Sequence, residues 1–418
     1  MTSDAAPTEC QLYVGLAWQA GQEVSPIGLL KLVRHGVMES GEFAYGRRYL
    51  QTPAAQPLNP EHLPLQEAVF VLPERRLRDG GALPLTLRDA LPDAWGRKVL
   101  DVQQGRAVSD VDALLLTNAD RIGAMAFSES LPIRADVPTA ELLALPDLAE
   151  AARRMEAGLT VTPRMQQLLR GGASLGGARP KATFVHEGHR YIAKFASCAD
   201  EHDMELVEAA TLSLAKACGI NVPPFHLRSL AGGHALLVER FDRTGPIHNE
   251  HRLHYLSASA LLNVPYESSG GSYVELAQAL RRLSARPEQD VAELFRRMVF
   301  NLVVGNSDDH VKNHGVLHQG SGAWRLAPAF DLVAQLGSHT GYQELAILPG
   351  QHSASLALVH EAAPHFGLST ASAAHIIQRI GQTVVTQAEQ AITTSGGTPT
   401  LARRVKAFVA QQAERIAA

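Results

Sequence analysis

Asn306-Ser307-Asp308-Asp309-His310-Val311-Lys312-Asn313, completed by Phe330-Asp331, is the stretch on which the reading of this chain turns. Phosphoryl transfer needs a carboxylate near the attacking hydroxyl, oxygen ligands for Mg²⁺, and cations on the phosphates. Asp308 and Asn313 stand five residues apart, the spacing of Asp and Asn in a kinase catalytic loop. In that arrangement Asp308 accepts or orients the substrate hydroxyl proton, and the Asn313 amide oxygen ligates a metal. Asp331 arrives from a separate segment as the second ligand, bridging Mg²⁺ to the phosphates of ATP. A polar loop that merely caps helices would explain Asp308 and Asn313 alone. It does not explain their setting. Val291, Leu294, Phe295, Met298, Val299, Leu302 and Val303 recur at helical spacing and deliver the chain into the motif. A short strand, Ala323-Trp324-Arg325-Leu326, then leads towards Asp331. A rival reading places His310 and His314 on one helical face as metal ligands, with Asp308, Asp309 and His318 completing a hydrolase site. No Glu follows His310 as in H-E-x-x-H, and Gly315 opposes a continuing helix.

Upstream, Gly171-Gly172-Ala173-Ser174-Leu175-Gly176-Gly177-Ala178-Arg179-Pro180-Lys181 is a glycine-rich turn whose amides could approach phosphates closely. It is neither a Walker P-loop nor the G-x-G-x-x-G of ordinary protein kinases. A hairpin is predicted next, Lys181–His186 and Tyr191–Phe195 flanking Glu187-Gly188-His189. Lys194 in the apolar strand points either to solvent or into a site, where it would hold the α- and β-phosphates. The helix predicted from about Asp203 to Cys218 offers Glu208 as its partner, or Glu205. Gly219 supplies the stop. Residues 235–241 read as a strand.

The order of glycine loop, strand Lys, helix Glu, Asp…Asn and Asp is the order a kinase needs. The fold class expected is α+β, a protein-kinase-like bilobed fold. Residues 1–130 form an extra N-terminal α+β subdomain, with strands at Leu12–Leu16 and Glu42–Tyr45. Leu91–Arg97 opens a helix, with Pro92 and Asp93 in its first turn. A polar passage from Ser128 to Pro146 is the candidate boundary. Residues 150–245 form the nucleotide-covering lobe and 246–418 a mainly helical catalytic lobe, with further helices near 371–393 and 399–417. The net charge of −4 argues against bulk electrostatic binding of nucleic acid, though a local basic patch or a partner could still contact DNA. Three scattered cysteines suit a reducing cytoplasm, and neither a signal peptide nor a membrane helix is expected.

These segments resemble the HipA family of serine/threonine kinases, the toxin halves of bacterial toxin–antitoxin pairs. The resemblance runs through Leu91–Arg97, Asp120–Ala124, Ser174–Lys181, Ile192–Phe195, Val238–Arg243 and Asn306–Asn313. It implies that Gly176, Gly177, Ala178, Arg179, Pro180 and Lys181 cover the ATP phosphates, with Lys194 beside them. Glu239, Arg240 and Phe241 would form the hinge that holds adenine, with His310 and Phe330 also at the nucleotide. Asp308 matches the proton acceptor, Lys312 falls at the transferred phosphate, and Asn313 and Asp331 match the Mg²⁺ ligands. Ser174 matches an autophosphorylated serine whose phosphate would pull the glycine loop away and switch the enzyme off. The family also implies a small helix-turn-helix antitoxin, HipB-like, that links the toxin to operator DNA. Its substrates are translation-related proteins, aminoacyl-tRNA synthetases among them. Asp331-Leu332-Val333 departs from D-F-G and no A-P-E follows, so activation-loop control is not implied. Two alternatives stand beside the toxin kinase: a small-molecule phosphotransferase, and a catalytically weak nucleotide-binding co-repressor acting with a DNA-binding partner.

Overall fold

The structure is a computed structural model that describes residues 7–19, 21–117, 120–134, 144–169, 177–320, 322–337 and 341–417. Its first part is a five-stranded antiparallel sheet in the order Phe70–Arg76, Met38–Tyr45, Pro26–His35, Thr8–Leu16, Met125–Ser128. Period-2 burial sets its register: Leu12 pairs with Leu30, and Leu30 with Phe43, all fully buried. Pro26–His35, the central strand, was not among the elements expected from sequence. The helix expected to open at Leu91–Arg97 runs Ala94–Gln104, with Asp93 at its N-cap.

A second antiparallel sheet follows in the order Phe225–Leu230, Gly233–Glu239, His189–Phe195, Lys181–His186. Glu187 and Gly188 turn the expected hairpin with φ of 50° and 77°, the positive pair that a tight two-residue turn requires. Alternation then divides the sheet. Ala193, Phe195, Ala235 and Leu237 pack with Trp95 and the helix Leu145–Glu156 on one face. Leu236 and Val238 face the helix Met204–Ala217 on the other. Lys194 pairs with Leu236 and so shares this second face. Asp203 caps that helix through the Leu206 amide at 3.1 Å. Leu145–Glu156 begins inside the passage expected to be a boundary, with Pro146 in its first turn.

The remainder is mainly helical: Tyr273–Leu283, Pro287–Val304, Thr370–Thr394 and Pro399–Ala417 enclose the largest core. Leu294, Phe295, Met298, Val299 and Phe300 are fully buried. Each such side chain contributes roughly 1.5–3 kcal/mol of burial, which fixes the helix that carries the motif. Gly305 ends it at φ 69°, where an added methyl would fall 2.7 Å from the Phe408 ring. Strands Tyr255–Ser257, Gly315–His318 and Trp324–Leu326 then form a small antiparallel sheet at the floor of the cleft. No helix among the described residues is long and apolar enough to cross a membrane.

Candidate active site

Lys194 is carried to the cleft by strand alternation, and Glu208 by its place on the helix above. Lys194 Nζ lies 2.6 Å from Glu208 Oε1 and 2.7 Å from Asp331 Oδ1. Glu205, one turn away, instead meets Arg179 at 2.9 Å. Arg179 also holds Asp200 through two bonds of 2.6 Å, so its guanidinium is committed to carboxylates beside the glycine loop. Burial disfavours the Lys194 ammonium, but Asp331 and Glu208 outweigh it and keep the lysine firmly charged. Asp331 in turn is held well below the carboxylate range, chiefly by Lys194.

Asp331 sits at φ 57°, a left-handed conformation that costs a non-glycine residue about 1–3 kcal/mol. Leu332 is buried behind it, and Asn306 Nδ2 donates to its carbonyl at 3.4 Å. That anchoring turns the side chain into the cleft against the backbone's preference. The same Asn306 joins a buried chain beneath the motif. It donates to Asn301 Oδ1 (3.2 Å), and Asn301 donates to the Tyr273 hydroxyl (3.0 Å). Tyr273 donates to Asp309, whose carboxylate also lies 3.0 Å from His314 Nε2. Asp309 is thus the buried foot of the loop and Asp308 its exposed neighbour. Partial loss of hydration raises the Asp308 pKa, with Asp331 and Glu344 adding repulsion that His310 partly offsets. Asn313 Nδ2 donates to the Asp308 carbonyl at 3.2 Å, which leaves its Oδ1 for another partner. Asn313 and Asp331 both line the cleft and carry oxygen donors of the kind Mg²⁺ takes.

The rival histidine site does not form. Residues 311–313 make a single 3-10 turn, so His310 faces the cleft while His314 is buried against Asp309 and Tyr273. His318 packs between Trp18 and Trp324. Among the described residues no three His, Cys, Asp or Glu side chains converge as a metal site.

The cleft between the sheet and the helical part measures about 370 Å³, within the usual range for a small-molecule site. Gly177, Ala178, Arg179, Lys181, Lys194, Glu208, Glu239, Arg240, Phe241, Asp308, His310, Lys312, Asn313, Phe330 and Asp331 all line it. Pro180 lies behind the wall, its carbonyl accepting from the Phe195 amide at 2.9 Å. Gly176 and Ser174 lie outside the described residues. Ile192, Leu212 and Val238 give the cleft an apolar end, where Phe241 and Phe330 meet with ring centroids 5.2 Å apart. Among the described residues the Phe241 amide has no hydrogen-bond acceptor, a donor suited to the edge of a flat heterocycle. Arg240, assigned to nucleotide by resemblance, commits its guanidinium to Asp242 (2.8 Å) and the carbonyls of Asp120 and Arg121. Lys181 is buried, and desolvation followed by Lys194 pulls it down to about 8.

Sequence reasoning missed a third wall. Asp89, Leu91, Asp93, Ala94 and Ile122 reach the cleft from the N-terminal part. Lys312 is tied to Asp93 and rests 4.9 Å over the Tyr266 ring. Asp93 was visible as a helix-opening residue, but nothing in local spacing joins it to a lysine 219 positions away.

A sheet-and-helix lobe closed over a helical lobe, with Lys, Glu, Asp and Asn meeting between them, defines a kinase-like α+β fold. A family model described as HipA-like C-terminal domain matches residues 173–388, more than half of the chain. The chain belongs to the HipA-like family. It is 40% identical over 136 residues to putative kinase Y4mE of Sinorhizobium fredii, covering 30% of this chain and 31% of that one. To the serine/threonine-protein kinase toxin HipA of Shewanella oneidensis it is 27% identical over 282 residues, covering 60% and 63% respectively. These matches span less than two thirds of either relative. The solved Shewanella oneidensis complex of HipA, HipB and operator DNA aligns with a TM-score of 0.66 over 97% of each chain, at 19% identity, and so shares the fold.

Proposed function

We propose that the chain is an ATP-dependent serine/threonine protein kinase. The observation that carries this reading is the convergence of Lys194, Glu208 and Asp331 with Asp308 and Asn313 on one cleft. Adenine would enter between Phe241 and Phe330, its edge on the hinge amide. Lys194 and Lys181 would hold the phosphates, and Asp308 would orient the attacking hydroxyl and receive its proton. A Mg²⁺ held by Asn313 and Asp331 would neutralise charge on the transferred group. The fixed Asn313 amide, the strained Asp331 backbone and the carbonyl anchor on Asn306 support preorganisation of that ligand pair.

The family further supports a growth-inhibiting cytoplasmic toxin that acts on a translation-related protein and silences itself at Ser174. A relative solved with HipB and operator DNA supports a helix-turn-helix antitoxin as the partner, with DNA reached through it. The test is to incubate purified protein with Mg-ATP and map phosphate by mass spectrometry. Label is expected at Ser174, abolished in Asp308→Ala and greatly reduced in Asp331→Ala. Robust labelling in both variants would sink the site assignment. Nucleotide binding without protein labelling would move the reading to a small-molecule phosphotransferase or a co-repressor.

A further inference from the structure

Asp93 occupies the N-cap of the helix Ala94–Gln104, where an aspartate ordinarily accepts an amide hydrogen from its own helix and contributes about 1 kcal/mol. Here it makes no such bond. One carboxylate oxygen accepts from the Gly177 amide at 2.5 Å, and the other accepts from Lys312 Nζ. The next residue but one reinforces the contact. Trp95 donates its amide to the Gly177 carbonyl (3.3 Å) and its indole N–H to the Lys181 carbonyl (2.8 Å). Gly177 is suited to this close approach: its φ is 91°, and an added methyl would collide with Lys181 Nζ. Lys312 keeps two further N–H donors while Asp93 and the Tyr266 ring hold its ammonium in place.

We propose that Asp93 is a positioning residue that fastens Gly177 to Lys312 across the cleft, so that Lys312 and the backbone from Gly177 to Lys181 converge on the terminal phosphate. The inference rests on the kinase reading. Asp93 touches no phosphate itself; it acts through Gly177 and Lys312. The N-terminal part of the chain is then a component of the phosphate site rather than an appended module. Two features favour a clamp over a simple helix cap: the cap bond is forgone, and both carboxylate oxygens go to elements from different parts of the chain.

The test compares wild type with Asp93→Asn and Asp93→Ser, measuring calorimetric affinity for MgADP and for a non-hydrolysable magnesium triphosphate, and the transfer rate. Asp93→Asn can still accept from Gly177 but loses the charge that holds Lys312. It should bind MgADP within about twofold of wild type, yet bind the triphosphate about tenfold more weakly and transfer at least about tenfold more slowly. Asp93→Ser offers a helix cap that offsets part of the cost of unpairing Lys312, so it should stay cooperatively folded while sharing the triphosphate defect. Equal weakening towards both nucleotides, or triphosphate binding as tight as or tighter than wild type, would overturn the role. Failure of the wild type to bind either nucleotide would overturn the kinase reading as well.

Discussion

Lys194→Met deletes one ammonium and keeps most of the aliphatic stem, so its consequences can be worked from the structure. At 2.6 Å and 2.7 Å from two carboxylates, each Coulomb attraction is about 6 kcal/mol at an effective dielectric of about 20. Most of that gross term is offset by dehydration of the three charges. The net loss depends on what the substitution strands. Glu208 has a side chain only 11 % exposed, and a carboxylate left unpaired at such a site costs roughly 3 kcal/mol. Asp331 is 48 % exposed, so water screens it and its share stays within about 1 kcal/mol. Lys181 stands close enough to relieve part of the deficit. A net loss of about 2–3 kcal/mol is expected. Glu208→Gln in the Lys194→Met background should recover most of it, giving a coupling energy of about 2 kcal/mol in a double-mutant cycle. Urea denaturation of the four proteins measures the cycle. Additivity within about 0.5 kcal/mol would refute the pairing and, with it, the placement of Lys194 between the two acids.

Lys181 and Asp242 give two pH-dependent tests. Lys181 titrates near 8, below the unfolded lysine value, so its charge opposes folding and this contribution to stability improves as pH rises from about 8 to 10. Bound phosphates favour the protonated form, so affinity for MgATP should fall about tenfold between pH 7 and 9. Lys181→Met should flatten that titration, and an undiminished slope would remove Lys181 from the phosphate site. Asp242 is buried and accepts from Arg240 (2.8 Å), Arg243 and the Gly123 amide (2.8 Å); despite its burial, the two arginines hold its pKa far below the usual range. Its stabilisation is therefore present at neutral pH and is lost as pH falls below the unfolded value of about 4. Asp242→Asn should cost about 3–5 kcal/mol and weaken the acid dependence of thermal unfolding. A variant as stable as wild type would show that the fold around Arg240 and Arg243 does not depend on this cluster.

Local patterns carried much of the architecture. The spacing from Val291 to Val303 marks the helix that ends at Gly305, and Glu187-Gly188 marks the hairpin turn, because a 3.6-residue stripe and a positive-φ pair are properties of neighbours in sequence. The kinase-like order of Lys194, Glu208, Asp308, Asn313 and Asp331 was legible for the same reason: each residue sits on an element whose type its neighbours announce. Sequence could not choose between Glu208 and Glu205, since both lie on the same helix three residues apart. The fold chose by rotation, sending Glu208 to Lys194 and Glu205 to Arg179. Against a His310–His314 metal pair the sequence already offered Gly315 and the missing Glu. The spacing of the two histidines suits a helix, but the chain makes one 3-10 turn and buries His314 beside Asp309.

The opening motif therefore divides cleanly. Its residue types and spacing, with the elements on either side, were determined locally by the sequence. The buried foot at Asp309, the left-handed Asp331 and the reach of Asp93 to Lys312 were decided only in the tertiary structure. Long-range pairing depends on how separate sheets and helices pack, and on which buried polar groups that packing obliges to find partners.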